Sequence, residues 1–281
     1  MLSILFGLLS AFSWGAGDFT GGLAARKVGA VRVVFYASVV GLIVITISAW
    51  VMGEAIPSFR VWVVAMMAGA FGSLGLILLY AAMANGSMSI AAPVSALLAA
   101  ALPVLVGLLT EGFPKLSTLI GFGFALFAVW MVSQGEGGVK DILSHLSDLK
   151  LPLLAGIGFG GYFILMHNAT DEGALLWAMT GSRTASVILI SIYMLVTRTS
   201  FRIEDPSSYP VIGVNGVLDL TGNAFFILAA QAGRLDVASV LSSLYPGSTV
   251  LLAWVFLHER LTRNQWIGIL SALTAIVLMT L

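Results

Sequence analysis

Apolar residues run through this 281-residue chain in stretches of roughly twenty, broken only by short polar or glycine-rich segments. A helix needs about 20 such residues to cross a hydrocarbon core, where only internally hydrogen-bonded backbone survives. Counted between breaks, the runs predict ten spans: 2–24, 32–52, 61–84, 88–109, 117–134, 151–168, 175–197, 210–232, 237–257 and 265–280. The residues are 59% hydrophobic and only 9% charged, whereas about 25% of a soluble domain is charged. The reading is therefore an all-α, multi-pass integral membrane protein of the cell membrane. The N-terminus lacks the positive stretch of a secretory signal, so residues 2–24 read as a retained span.

Thirteen basic residues balance thirteen acidic ones, so the chain has no basic field for nucleic acid. Its expected partners are lipids, a small solute and a coupling proton. With no cysteine, disulfide and thiol chemistry are excluded.

The longest break, GEGGVKDILSHLSDLK at 135–150, divides the spans five and five. It reads as a linker between a first half, 1–134, and a second, 151–281. Residues 89–121 align with 236–268 after a one-residue shift, placing Glu111 on Glu259 and Gly121 on Gly268. Because five is odd, a second copy enters the membrane from the opposite side. Such inverted repeats place a solute site near the midplane, between the halves.

This pattern resembles the drug/metabolite transporter superfamily, specifically its EamA-type members. The resemblance rests on a small-residue and proline segment opening the fourth helix of each half, with a Glu after that helix. Ala91-Ala92-Pro93 precedes Glu111, and Ala238 with Pro246 precedes Glu259. Arg183 in MTGSRTAS fits an Arg common near the start of a second helix, and Tyr36 takes the corresponding place in the first half. The resemblance implies two five-helix repeats, a non-enzymatic secondary transporter working by alternating access, and a cavity lined by helices one, three, four, six, eight and nine. Glu111, Glu259 and Arg183, with Pro93 and Pro246, read as structural or gating residues.

Positive residues favour cytoplasmic loops. The odd-numbered loops carry nine Lys and Arg against three in the even-numbered ones, which predicts external termini.

A charge at the centre of a spanning helix costs roughly 2.5–3.5 kcal/mol, so such residues face a bundle interior or a wet cavity. Asp18 and Asp219 are the two acids within spans. Asn215 and Asn223 flank Asp219 at i−4 and i+4, giving a polar stripe about 12 Å long on one face. The alternative is an interhelical hydrogen-bond clamp. Asp18 lies on a face of small residues, Gly7, Ala11, Gly15 and Gly22, with Trp14 one turn before it. It reads either as a coupling site or as a helix-end anchor for Arg26 or Lys27. Ser242 and Tyr245 extend the candidate solute and proton set from helix nine, and His167 is a candidate relay.

The chain contains no zinc-peptidase, nucleophile-elbow or phosphate-loop motif, and no cofactor or metal signature. The function expected is secondary transport of a small organic solute, by proton coupling or exchange. The alternative is a membrane-embedded enzyme that uses Asp18 and Asp219 as an acid–base pair. Hydrogen-bond contact between the two carboxylates would favour the enzyme; separation across a cavity would favour transport.

Overall fold

A computed structural model describes residues 1–84, 88–133, 149–170, 173–258 and 260–281; the expected linker, 135–150, lies almost wholly outside them. The described residues are helical without a strand. They form α1 (Leu2–Val28), α2 (Ala30–Val51), α3 (Phe59–Ala84), α4 (Met88–Thr110), α5 (Leu116–Ser133), α6 (Lys150–Thr170), α7 (Leu175–Val196), α8 (Tyr209–Gln231), α9 (Leu235–Ser242), α10 (Tyr245–Leu257) and α11 (Arg263–Thr280). A single 3₁₀ turn, Pro206–Ser208, precedes α8.

Eight segments are long and apolar enough to cross a membrane, α9 and α10 counting together as one. Val94–Thr110 is a shorter apolar stretch. At eighteen residues α11 has the length for a crossing, about 27 Å, but opens on Arg263, Asn264 and Gln265. Those polar residues have a local role, since Thr262 and Gln265 form a reciprocal capping box.

The expected ninth span is divided. Pro246 has no N–H to offer the carbonyl of Ser242, so the helix stops at Ser242 and restarts at Tyr245. Tighter bonds cross the gap, from Leu244 N–H to Leu241 O and from Gly247 N–H to Leu244 O. By contrast α4 stays continuous through Pro103.

Cross-loop contacts define two faces. On the face that holds both termini, the Lys115 ammonium donates to the Leu281 carbonyl and Arg234 meets Glu111. Both Glu54 carboxylate oxygens there accept from the first N–H groups of α7, at Leu176 (3.1 Å) and Trp177 (2.8 Å). These are the donors a helix start leaves unpaired. On the distal face, Lys27 pairs with Asp205, Arg32 donates to Ser200 O and Tyr36 to Phe201 O.

The packing is unchanged in pattern when the halves are exchanged. α1 packs on α8, and α6 on α3; α1 on α9 and α10, and α6 on α4; α2 pairs with α7 and α5 with α11. Individual contacts obey the same exchange. Gly69 abuts Ser182 on α7 as Gly216 abuts Ala37 on α2, and Gly75 abuts Phe159 as Gly222 abuts Trp14. Backbones this close require small residues at the crossing. Ala37 thus corresponds to Ser182, which makes Ser38, not Tyr36, the counterpart of Arg183. The two-residue slip arises because sequence alignment across unequal loops has no contact to fix its register.

Large apolar side chains such as Ile47, Phe71, Phe124, Ile192 and Val217 point outward, the inverse of a soluble fold.

Candidate functional site

Depth can be read from helix ends on the distal face. Asp18 stands ten residues before Val28, and Asp219 ten residues after Tyr209, so both lie about 15 Å in. Tyr162 is twelve residues from Lys150, Arg183 thirteen from Val196, Tyr245 twelve from Leu257, and Trp14 and Asn223 fourteen from Val28 and Tyr209. Seven residues therefore share one layer, within about 6 Å of rise.

The stripe on α8 divides its partners among three helices. The Arg183 guanidinium on α7 donates to, and forms an ion pair with, Asp219; the two side chains are 13% and 39% accessible. The Tyr162 hydroxyl on α6 donates to Asn223 Oδ1, while Asn223 Nδ2 donates to the Asp219 carbonyl at 2.6 Å. Asn215 Nδ2 donates to the carbonyl of Gly17 on α1 at 2.7 Å. Asn215 and Asn223 are therefore clamps, and the carboxylate between them is charge-paired.

Asp18 differs. It is exposed at mid-depth, yet protein surrounds it, so it faces an internal recess. Its charge opposes that of Asp219 and borders the Tyr245 phenol. No hydrogen bond joins the two carboxylates, and no cation pairs with Asp18, among the described residues. Lys27 is committed to Asp205, away from it. One turn further toward the distal face, a Cβ on Gly22 would meet nothing within 4 Å.

Aromatic rings close the recess on the other side. Trp14 stacks on Phe163 (5.6 Å) and Phe226 (6.0 Å) and meets Tyr245 edge-on at 6.3 Å. The Ser10 hydroxyl donates to Gly222 O, and Thr249 to Gly15 O, fixing α1 against α8 and α10. Beyond this layer, toward the termini face, Ala65, Met166, Ala178, Phe226 and Ile227 form one buried cluster.

Other candidates fall elsewhere. His167 is five residues past Tyr162 toward the termini face, its Nδ1 buried and unpartnered. Ser242 is buried at the α9 end with an unpartnered hydroxyl. Pro246 lies at the depth of the polar layer but lines an apolar crevice between α1, α5, α10 and α11. Pro93 lies in α4, within a stretch whose side chains are not described, and Glu259 is outside the described residues. Glu111 Oε1 accepts from the Leu235 N–H at 3.2 Å, at the start of α9.

Four residues carried no isolated sequence signal. Tyr162 is a single hydroxyl in a glycine-rich helix, and Glu54 a lone acid in a loop. Arg234 and Asp236 sit two apart, where the Arg234 guanidinium donates to both oxygens of the fully buried Asp236 at 2.7–3.2 Å and to Glu111 O and Gly112 O. That pairing holds Arg234 even further up than its ordinary range.

A family profile described as the EamA-like transporter family matches residues 1–134 and again 148–281. An uncharacterised protein of Methanocaldococcus jannaschii is 29% identical over 94 residues, which is 34% of this chain and 69% of that one. A protein of known crystal structure superposes with a TM-score of 0.81 at 16% identity, covering 99% of this chain and 96% of the other; at that identity the likeness is one of fold.

Proposed function

The chain belongs to the EamA-like transporter family and is a multi-pass membrane protein, and on that premise we propose that it moves a small organic solute through the layer that holds Asp18 and Asp219. In this reading ten crossings form two inverted five-helix repeats, 1–134 and 151–281, joined by the linker at 135–150, and the repeats rock to give alternating access. Asp18 is the coupling site, taking up a proton or a cargo charge. Asp219 serves as the fixed counter-charge to Arg183.

The observation that carries this reading is an unpaired, accessible carboxylate at mid-depth in an apolar bundle. Intramembrane ionisable groups mark substrate and ion pathways. Closure toward the termini face by the buried cluster around Met166 and Phe226, with open space beside Gly22, fits a recess reached from the distal face. The loop charges make that face cytoplasmic. An acid–base enzyme would need the two aspartates to share a proton, and Asp219 is instead bound to Arg183.

Solutes that raise the thermal unfolding temperature of the purified protein identify the cargo, and their flux is then measured in proteoliposomes under a pH gradient. Asp18→Asn is expected to abolish gradient-driven flux while the protein remains folded. Undiminished gradient-driven flux in that variant removes the coupling role. An absence of flux for every stabilising solute overturns transport.

A further inference from the structure

The charge count of the polar layer specifies more than a small solute. Asp18 and Asp219 bring two negative charges and Arg183 brings one positive. The guanidinium is committed to Asp219, so the layer is left with one negative charge, placed on Asp18. A carboxylate without a counter-ion is costly in a low-dielectric bundle, and the structure supplies Asp18 with no cation among the described residues. What an occupant of the recess can add is that missing charge.

The walls define the rest of the occupant. Trp14 precedes Asp18 by one turn on the same face, and the Tyr245 ring lies against Trp14 and within reach of the Asp18 charge. Phe163 stacks on Trp14. An aromatic wall beside a carboxylate suits a substituted ammonium, which pairs with the carboxylate and is attracted to the ring faces, while its apolar body replaces water against the rings. A carboxylate-bearing solute would meet Asp18 as a like charge and would need to displace Asp219 from Arg183. The room for a head group lies beside Gly22.

We infer that the cargo is an organic cation with a single positive charge and an apolar, aromatic-sized body, held by Asp18 against Trp14 and Tyr245. This inference rests on the transporter reading above, but equilibrium binding tests it separately from flux. The full chain is purified, and binding of phenethylamine, 3-phenylpropionate and phenylalanine is measured by calorimetry. They present the same ring with a cation, an anion and both charges.

Phenethylamine is expected to bind at least about tenfold more tightly than either of the others, a gap of about 1.4 kcal/mol. Asp18→Asn should weaken amine binding by about tenfold or more, and Asp18→Glu should keep it within a few-fold. Equal or tighter binding of 3-phenylpropionate or phenylalanine overturns the inference, as does absence of amine binding to the native chain. Unweakened amine binding by a folded Asp18→Asn protein overturns it too. Should that variant fail to fold, the three-ligand ranking on the native chain still decides. Flux of an uncharged or anionic solute would leave transport standing and remove only the cation.

Discussion

Gly121 of α5 and Gly268 of α11 occupy equivalent sites in a reciprocal contact. A Cβ on Gly121 would meet Ala275, Leu278 and Met279, and one on Gly268 would meet Ala128, Met131 and Val132. The partners stand 7, 10 and 11 residues further along in both directions, as a two-fold axis between the helices requires.

The two glycines differ in what surrounds them. At Gly268 a new methyl would lie 2.6 Å from Val132 and 3.0 Å from the Ala128 carbonyl, whereas at Gly121 it would lie 2.7 Å from Met279 Cγ and 3.2 Å from the Ala275 carbonyl. Alanine gains up to about 1 kcal/mol of helix propensity at either site. Gly268→Ala is expected to lose about 1–2 kcal/mol net through overpacking, while Gly121→Ala should lose less, because the unbranched Met279 side chain can re-rotate where β-branched Val132 cannot. Gly123, with open space around it, is the control. Unfolding of the three variants in detergent checks the order.

Removing either half of the Arg183–Asp219 pair should cost unequally. Arg183 is 13% accessible and Asp219 39%, so the guanidinium depends more on its partner. Asp219→Asn is expected to cost about 2 kcal/mol and Arg183→Gln about 1 kcal/mol. The double variant should cost less than the sum, and a double-mutant cycle reads the coupling directly.

At the termini face the order reverses, because the acid is the buried partner. Asp236 is fully buried and Arg234 only partly so. Arg234→Ala should cost about 3 kcal/mol by leaving a bare buried carboxylate, while Glu111→Ala, whose ion pair with Arg234 spans 3.8 Å in a wetter setting, should cost about 1 kcal/mol or less. Chemical unfolding midpoints distinguish the two.

Asp205 gives the distal loops a pH dependence. The Ser207 hydroxyl and backbone N–H, aided by Lys27, hold its carboxyl below the ordinary 3.8. A lowered value stabilises above the ordinary one and is lost as pH falls through the folded value. Hydrogen exchange at the Ser207 amide should therefore be protected at neutral pH and lose that protection below about pH 4. In Asp205→Asn the acid-dependent step should disappear.

Much of this architecture was written in the apolar runs, because length and hydrophobicity are local quantities. Gly121 opposite Gly268 was legible for the same reason, as two copies of one pattern. The break at Ser243–Leu244 was less so: Pro103 in α4 leaves its helix continuous and Pro246 does not, and tertiary setting decides between them. In the site, the spacing of Asn215, Asp219 and Asn223 fixed their common face but not their partners. Arg183 is 36 positions away, Tyr162 is 61 and Gly17 is 198, and only the folded bundle brings them together. Asp18 read as nearer a helix end than it is, because α1 runs on to Val28.

The exchange relation that pairs Gly69 with Gly216 also pairs Asp219 with Gly72 and Arg183 with Ser38. Every charge in the layer thus has an uncharged twin across the axis. The two copies share out the charges, Asp18 coming from the first and Asp219 with Arg183 from the second, and the twin of each position keeps only the scaffold. The unused twins are not remote: a side chain gained at Gly72 would stand against the Tyr162 ring, whose hydroxyl already serves Asn223, so a change at the silent twin would be felt directly at the charged one.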